Sequence, residues 1–314
     1  MSETAALAAR RDADGARHDD FGATAPDRFD DAVRGRLGPR RTSRLRRVLR
    51  RPTVVLSGLW LLVVLVAAVW PTLLAPGNPL DGVPSDNLLP PGWGHPLGTD
   101  QLGRDLYTRV VHGAGLTLSA ASLAVAVGLV AGSVLGLVAG FVGGWLDSLV
   151  MRVADVLLAI PSLLLSLAII TALGFGTVNV AIAVGIGSIA SVARIMRSEV
   201  LRVRSSVYVE AARAAGNTWL RVLARHVLPN STGPVIVLAV LELGGAILAV
   251  SALSFLGYGA QPPDPEWGAL VAGGRDFLRG AWWLTTLPGV AIALTVLAAN
   301  RLSRALDRES EAVR

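Results

Sequence analysis

The sequence contains no cysteine and no lysine, and these absences exclude several kinds of chemistry. Without cysteine there can be no disulfide, no thiolate metal site and no cysteine nucleophile. All 29 basic residues are arginines, so the chain cannot form a lysine Schiff base and lacks the phosphate-binding lysine of a P-loop. If ATP is used, another subunit must bind it.

Charge is also scarce, because only 17% of the 314 residues are charged whereas 52% are hydrophobic. Soluble domains carry about a quarter charged residues, so the composition predicts a helical membrane protein. The four histidines have no metal-ligand spacing, and no G-x-S-x-G elbow is present. We therefore expect no catalytic residue, no cofactor and no metal site in this chain.

The amino-terminal part of the chain differs sharply from the rest. Residues 1–39 are polar and include eight acidic residues, which is typical of a disordered tail. Seven arginines then crowd between Arg40 and Arg51. A basic cluster directly before an apolar run marks the cytoplasmic side and attracts anionic lipid, which we favour over a nucleic-acid arm. We predict that residues 1–51 form a cytoplasmic tail with this basic cluster.

Six apolar runs are long enough to predict transmembrane helices. They lie at Val54–Leu74, Leu116–Val142, Val150–Leu173, Thr177–Ala193, Pro234–Leu256 and Trp283–Leu302. The first is not a signal peptide, because 53 residues precede it and the run is too long. Six spans put both termini in the cytoplasm. The predicted cytoplasmic parts then hold 25 of the 29 arginines, as the positive-inside rule requires.

Several residues inside or beside the spans indicate packing. Small residues at fourfold spacing share one ridge of the second span and allow close backbone approach. They are Ala120, Ala124, Gly128, Gly132, Gly136 and Gly140. The stripe can pack within the chain or against a partner subunit. Arg152 and Asp155 are three residues apart and are predicted to pair, and Pro161 is predicted to kink the third span.

Glu242 is the one acidic residue well inside a predicted span, about 12 Å from its start by the helical rise. An ionisable group at that depth costs roughly 2.5–3.5 kcal/mol unless it faces water or a partner. We therefore predict that Glu242 faces a translocation path. The alternative is a carboxyl group that is hydrogen-bonded to a neighbouring helix.

The segment between the fourth and fifth spans, residues 205–229, is predicted to form two short helices. The first is rich in alanine from Val207 and is ended by Gly216 at a left-handed cap position. The second runs from Thr218 to Leu228 and ends near Pro229. Such a compact element fits docking to a soluble partner, although an ordinary amphipathic loop is the alternative.

Sequence motifs in this segment and elsewhere resemble one known family. Glu210-Ala211-Ala212, Gly216 six residues after the glutamate, and Leu228-Pro229 resemble the EAA loop of binding-protein-dependent ABC transporter permeases. Further stretches are similar to the C-type permease subunit of the dipeptide/oligopeptide/nickel branch: Leu97–Asp105, Leu253–Gly257, Gly259–Gly268, Ala281–Trp283, Pro288–Gly289 and Leu294–Leu297.

The resemblance implies an all-α membrane protein with six transmembrane helices and the type I importer permease fold. It implies a transport subunit, not an enzyme, that forms half of a path for peptides. The implied partners are a second homologous permease, giving a heterodimer, two ATP-binding subunits and an extracytoplasmic substrate-binding protein. Nickel or another small solute is the alternative cargo, and a secondary transporter is a more distant alternative.

The resemblance also divides the chain and assigns residues to roles. Residues 52–112 would hold the first transmembrane helix and an outer segment, residues 113–304 the permease domain, and residues 305–314 a cytoplasmic tail. The 205–229 segment would be the coupling loop that fits a groove of the ATPase. Its expected coupling residues are Glu210, Ala211, Ala212, Gly216, Leu228 and Pro229.

Overall fold

A computed structural model describes residues 52–311 of the protein. The predicted polar tail and its arginine cluster lie outside these residues, as does the end of the predicted carboxy-terminal tail. Within residues 52–311 the structure is helical and contains no β-strand. Two isolated bridges, Gly82 with Arg104 and Thr99 with Asp105, join parts of the segment between the first two long helices.

Residues 52–311 form eleven α-helices, which are numbered in chain order. They are α1 Pro52–Val69, α2 Pro71–Leu74, α3 Leu106–Val142, α4 Gly144–Ala159, α5 Ser162–Leu173, α6 Thr177–Arg204, α7 Val207–Ala214, α8 Trp219–Val222, α9 Leu228–Phe255, α10 Trp267–Gly274 and α11 Trp283–Glu311. A π-helical turn, Leu223–Val227, joins α8 to α9.

The long helices form a bundle that can span a membrane. Five stretches are long and apolar enough to cross a bilayer: α1, α3, α6, Val237–Phe255 of α9 and Trp283–Ala305 of α11. The pair α4 and α5 passes the same test jointly, although the two helices are bent by 97°. Counted as one broken span, this pair completes the predicted six, and the all-α membrane fold is confirmed.

The third predicted span is not a single kinked helix, and in this respect the prediction is wrong. Ile160 has φ −91° and ψ 129°, an extended conformation between α4 and α5. The ring of Pro161 disfavours a helical conformation in the residue before it and supplies no amide donor. The chain therefore breaks at Ile160 and turns sharply before α5 begins at Ser162.

Helices α3, α6, α9 and α11 extend beyond the predicted spans. Helix α3 begins at Leu106, ten residues before the predicted Leu116, because the Asp105 carboxylate caps it and accepts the Thr108 amide at 2.8 Å. Helix α6 continues to Arg204 instead of ending at Ala193. Two of the added arginines, Arg194 and Arg197, pair with acidic residues of α4, so this basic stretch does not require a loop.

These ion pairs correct the predicted partner of Asp155. The Arg194 guanidinium lies 2.5 Å from the Asp155 carboxylate, and Arg197 binds Asp147 through two nitrogens. Asp155 therefore pairs across to α6 and not with Arg152 on its own helix. Both pairs fasten the broken third span to α6.

The small-residue stripe packs within the chain, where α3 lies directly against α6. A Cβ atom added at Gly136 would lie 2.3 Å from the Ala193 carbonyl oxygen, and one at Gly132 would lie 2.7 Å from the Ile189 carbonyl oxygen. Only glycine permits this approach. Of the two alternatives for the stripe, packing within the subunit is thus confirmed.

We predict that Gly136→Ala destabilises the bundle, because the new methyl group must push α3 away from α6. Overpacking of this kind typically costs about 1–3 kcal/mol, and thermal unfolding in detergent measures it. The control is Gly289→Ala in α11, where an added Cβ meets nothing within 4 Å. Equal unfolding temperatures for the two variants would contradict the close α3–α6 contact.

Candidate functional site

The 205–229 segment begins with α7, which ends as predicted at a left-handed glycine. Gly216 has φ +81°, and its amide donates to the Arg213 carbonyl oxygen at 3.0 Å. The Asn217 side-chain amide donates to the Ala212 carbonyl oxygen at 2.9 Å. These bonds satisfy the end of α7 and turn the chain tightly into α8.

The second half of the segment does not end near Pro229, so that part of the prediction is wrong. Helix α8 passes through the π-helical turn and continues into α9 without a stop. The Leu228 amide reaches back five residues to the Leu223 carbonyl oxygen. Pro229 has no amide donor, and after it the Asn230 side-chain amide donates to the His226 carbonyl oxygen at 2.6 Å.

The inner face of the segment is anchored to the bundle. Three of its valines, Val209, Val222 and Val227, have no exposed surface. They share a core cluster with residues of α3, α6 and α9: Phe141, Met196, Val200, Val203 and Val235. The Trp219 ring also stacks on Phe141 with centroids 5.7 Å apart. A displacement of the segment would therefore be transmitted to these three long helices.

The outer face of the segment is apolar and uncovered. Val207 is 80% exposed, and Trp219 and Leu220 are each 60% exposed. Five of the six predicted coupling residues are exposed, namely Glu210, Ala211, Gly216, Leu228 and Pro229, whereas Ala212 is half-buried. The tyrosine–histidine pair Tyr208 and His226, with ring centroids 6.5 Å apart, brings α7 beside the π-helical turn.

Sequence reasoning missed Trp219 and Leu220 as members of this surface. Their signal is two large apolar residues between a helix-ending glycine and the arginines of the same segment. The exposed apolar area is the more unusual property of the segment, because large uncovered apolar patches mark interaction sites.

Glu242 lines a cavity of about 270 Å³ between helices α3, α5, α6 and α9. The polar side chains that share its wall are serines: Ser162, Ser166, Ser188 and Ser191. Among the side chains described for residues 52–305, none that is basic forms an ion pair with Glu242. Sequence reasoning found the glutamate but not the serines, whose signal is polar residues four or three apart on otherwise apolar helices.

Comparison with known proteins decides the family. Residues 132–311 match the family described as the binding-protein-dependent transport system inner membrane component. The chain belongs to this family. The permease is 42% identical to the di/tripeptide transport system permease protein DppC of Pseudomonas aeruginosa, covering 79% of this chain and 84% of that protein.

Further relatives agree with this assignment. The glutathione transport system permease protein GsiD of Pectobacterium atrosepticum is 40% identical, over 83% of the permease and 87% of GsiD. Among solved structures, the inward-facing methionine ABC transporter MetNI matches with a TM-score of 0.50 and 20% identity. That match covers 63% of the permease and 96% of the MetNI chain, and it supports the fold alone. As a member of this family, the permease is a transport subunit that works with a binding protein.

At the end of the bundle opposite the 205–229 segment, one arginine joins three parts of the permease. The Arg109 guanidinium donates to the carbonyl oxygens of Pro79 at 3.0 Å and Pro263 at 3.2 Å. Its Nε atom lies 3.6 Å from the Asp100 carboxylate, which also binds Arg104 at 2.7 Å. Arg109 thus joins the segments before α3 and after α9, and Asp100 of the Leu97–Asp105 motif lies beside its guanidinium.

A buried glutamate fastens α10 to α3. Glu266 has no exposed surface; its carboxylate caps α10 by accepting the Ala269 amide at 2.9 Å and accepts the Thr117 hydroxyl at 3.1 Å. Burial raises the pKa of Glu266, while hydrogen bonds from the Gly268 and Ala269 amides oppose the shift. Within the described chain no group of three or more histidines, aspartates or glutamates could hold a metal ion.

We predict that Glu266→Ala destabilises the permease more than Glu266→Gln does. Alanine leaves the Ala269 amide and the Thr117 hydroxyl without their acceptor, which costs about 1–3 kcal/mol for buried groups. Glutamine keeps an acceptor for the cap. Thermal unfolding in detergent measures the difference, and equal losses would contradict a capping role.

The same variants give a pH prediction. Because the folded-state pKa of Glu266 lies above its ordinary value of 4.5, the cost of burying the ionised carboxylate is present above the raised pKa. As the pH falls through the raised pKa, the carboxylate becomes protonated and this cost is lost. As the pH is lowered, the unfolding temperature of the wild type should therefore rise relative to that of Glu266→Gln. A constant difference between the two would show that Glu266 does not titrate in this range.

Proposed function

We propose that this chain forms half of the transmembrane path of an ATP-driven peptide importer. The relatives named for di/tripeptide and glutathione transport support peptides as the cargo. The observation that carries the coupling role is the exposed apolar face of the 205–229 segment on an anchored base. ATP hydrolysis belongs to separate ATP-binding subunits, and an extracytoplasmic binding protein delivers the peptide.

The exposed face of the 205–229 segment docks on an ATP-binding subunit. Burying Val207, Trp219 and Leu220 against a partner would remove apolar area from water, the main favourable term in association. The arginines Arg213 and Arg221 beside that face add charge for a soluble partner. Glu210, Ala211 and Gly216 contribute polar contact and a tight turn at the tip. Leu228 and Pro229 join the docked segment to α9.

The docked segment works as a lever for alternating access. Closure of the ATP-binding subunits would shift the segment, and its buried valines would carry that shift to α3, α6 and α9. Gating of this kind moves packed helices as rigid bodies. A second, homologous permease completes the path in a heterodimer, and Glu242 faces that path from α9.

Both termini lie in the cytoplasm, and residues 77–109 lie outside the cell membrane. The 25-to-4 division of the arginines supports this orientation. With this orientation the chain has four parts. They are a cytoplasmic tail at 1–51, the first helix and an outer segment within 52–112, a permease domain at 113–304 and a cytoplasmic tail at 305–314.

Single-cysteine labelling tests the orientation, because the native chain has no cysteine. Ser85 and Ser205 are both exposed, and they lie at opposite ends of the bundle. We expect a membrane-impermeant thiol reagent to label Ser85→Cys in intact cells and to leave Ser205→Cys unlabelled until the cells are opened. The reverse pattern would overturn the orientation and the docking of the 205–229 segment on ATP-binding subunits.

We predict that Gly216→Val weakens association with the ATP-binding subunits while leaving membrane insertion intact. An added Cβ meets nothing within 4 Å there, so the harm comes from the backbone conformation at φ +81°. A strained residue typically costs about 1–3 kcal/mol, enough to misplace a docking surface. Pull-down of the ATP-binding subunits at matched membrane expression measures the effect.

The matched control is Ala215→Val, which adds the same side chain one residue earlier, where φ is −73°. It should retain association. Glu210→Ala should weaken association less than Gly216→Val, because alanine suits the helix and only a polar contact is lost. Wild-type association and uptake in Gly216→Val would show that this segment is not the coupling element.

A further inference from the structure

The cavity beside Glu242 has a marked charge asymmetry. Among the residues that line it, Glu242 is the one ionisable group. The nearest basic residue along α6 is Arg194, one helical turn beyond Ser191, and its guanidinium is already paired with Asp155 at 2.5 Å. A single carboxylate therefore dominates the electrostatic field inside this cavity.

The serine hydroxyls provide further hydrogen-bond acceptors in the same cavity as the Glu242 carboxylate. Ser188 donates its hydroxyl proton to the Gly185 carbonyl oxygen at 2.9 Å, and Ser166 donates to the Ala183 carbonyl oxygen at 3.4 Å. A hydroxyl whose proton is engaged still has lone pairs to offer. These side chains therefore present acceptors, and a cavity of acceptors around one negative charge suits a cationic hydrogen-bond donor.

We propose that this cavity binds a primary ammonium group, namely the charged amino terminus of a peptide in transit. An ammonium group carries three donors and no acceptor, which complements Glu242 and the serines. The volume of about 270 Å³ equals that of roughly nine water molecules, enough for the first residues of a peptide. The identity of the cargo rests on the proposed function, but the preference for positive charge does not.

The first experiment measures the field of Glu242 without any transport. In the purified complex, Ser191→Cys supplies the one thiol of this chain, on the cavity wall. Its rates of modification by trimethylammonioethyl and sulfonatoethyl methanethiosulfonate give a cation-to-anion ratio. Thiol ionisation affects both reagents equally and cancels in this ratio. We expect Glu242→Gln to lower the ratio about tenfold or more, because one unit charge acts oppositely on the two reagents.

The control removes a carboxylate that lies elsewhere. Asp276→Asn neutralises an exposed side chain in the segment after α10, and the ratio at Ser191→Cys should not change. If Glu242→Gln also leaves the ratio unchanged, Glu242 is uncharged or does not face the cavity, and the proposal is overturned. That result would overturn ammonium binding in the cavity without contradicting peptide import by the complex. Failure of this proposal can therefore be told apart from failure of the proposed function.

The second experiment identifies the ligand group by protection of Ser191→Cys from modification. Dialanine should slow the reaction, N-acetyl-dialanine should not, and Glu242→Gln should abolish the difference. Equal protection by both peptides, or by neither, would overturn ammonium recognition. Nα-acetyl-lysine separates the two sources of an ammonium group. If it protects as well as dialanine, the assignment to the amino terminus is wrong.

Discussion

The fold depends on the contact between α3 and α6, where glycines let two backbones touch. Apolar side chains gain little by leaving lipid for a protein interior, so helices in a membrane associate through close packing. Gly128, Gly132 and Gly136 remove the side chains that would hold α3 away from α6. Helices α9 and α5 then pack beside this pair, and the cavity with Glu242 lies among the four.

Much of this arrangement could be predicted from the sequence, because apolar run length and arginine position are strong signals. Helix ends were less predictable. The start of α3 depends on the Asp105 cap, and the length of α6 depends on Arg194 and Arg197 finding partners on α4. Those pairs join residues about 40 to 50 positions apart, so a pattern within one helix, such as Arg152 with Asp155, could not reveal them.

The candidate functional residues also differ in whether the sequence alone could identify them. Gly216 could be identified because its local sequence requires a left-handed residue, and Glu242 because a lone acid stands out in an apolar run. The serine wall and the exposed Trp219 could not be identified in this manner. Each of them acquires its meaning only when several helices come together, since a serine or tryptophan by itself is compatible with many environments.

The π-helical turn between α8 and α9 fixes the direction in which the exposed apolar face of the 205–229 segment points. Such a turn closes a hydrogen bond over five residues, one more than an α-helix uses, and so it acts as a one-residue insertion. Each residue of a helix advances the rotation by about 100°. The side chains of Trp219 and Leu220 are therefore out of phase with α9 by that angle. The direction in which this face points thus depends on the number of residues between Val222 and Pro229, whatever their side chains are.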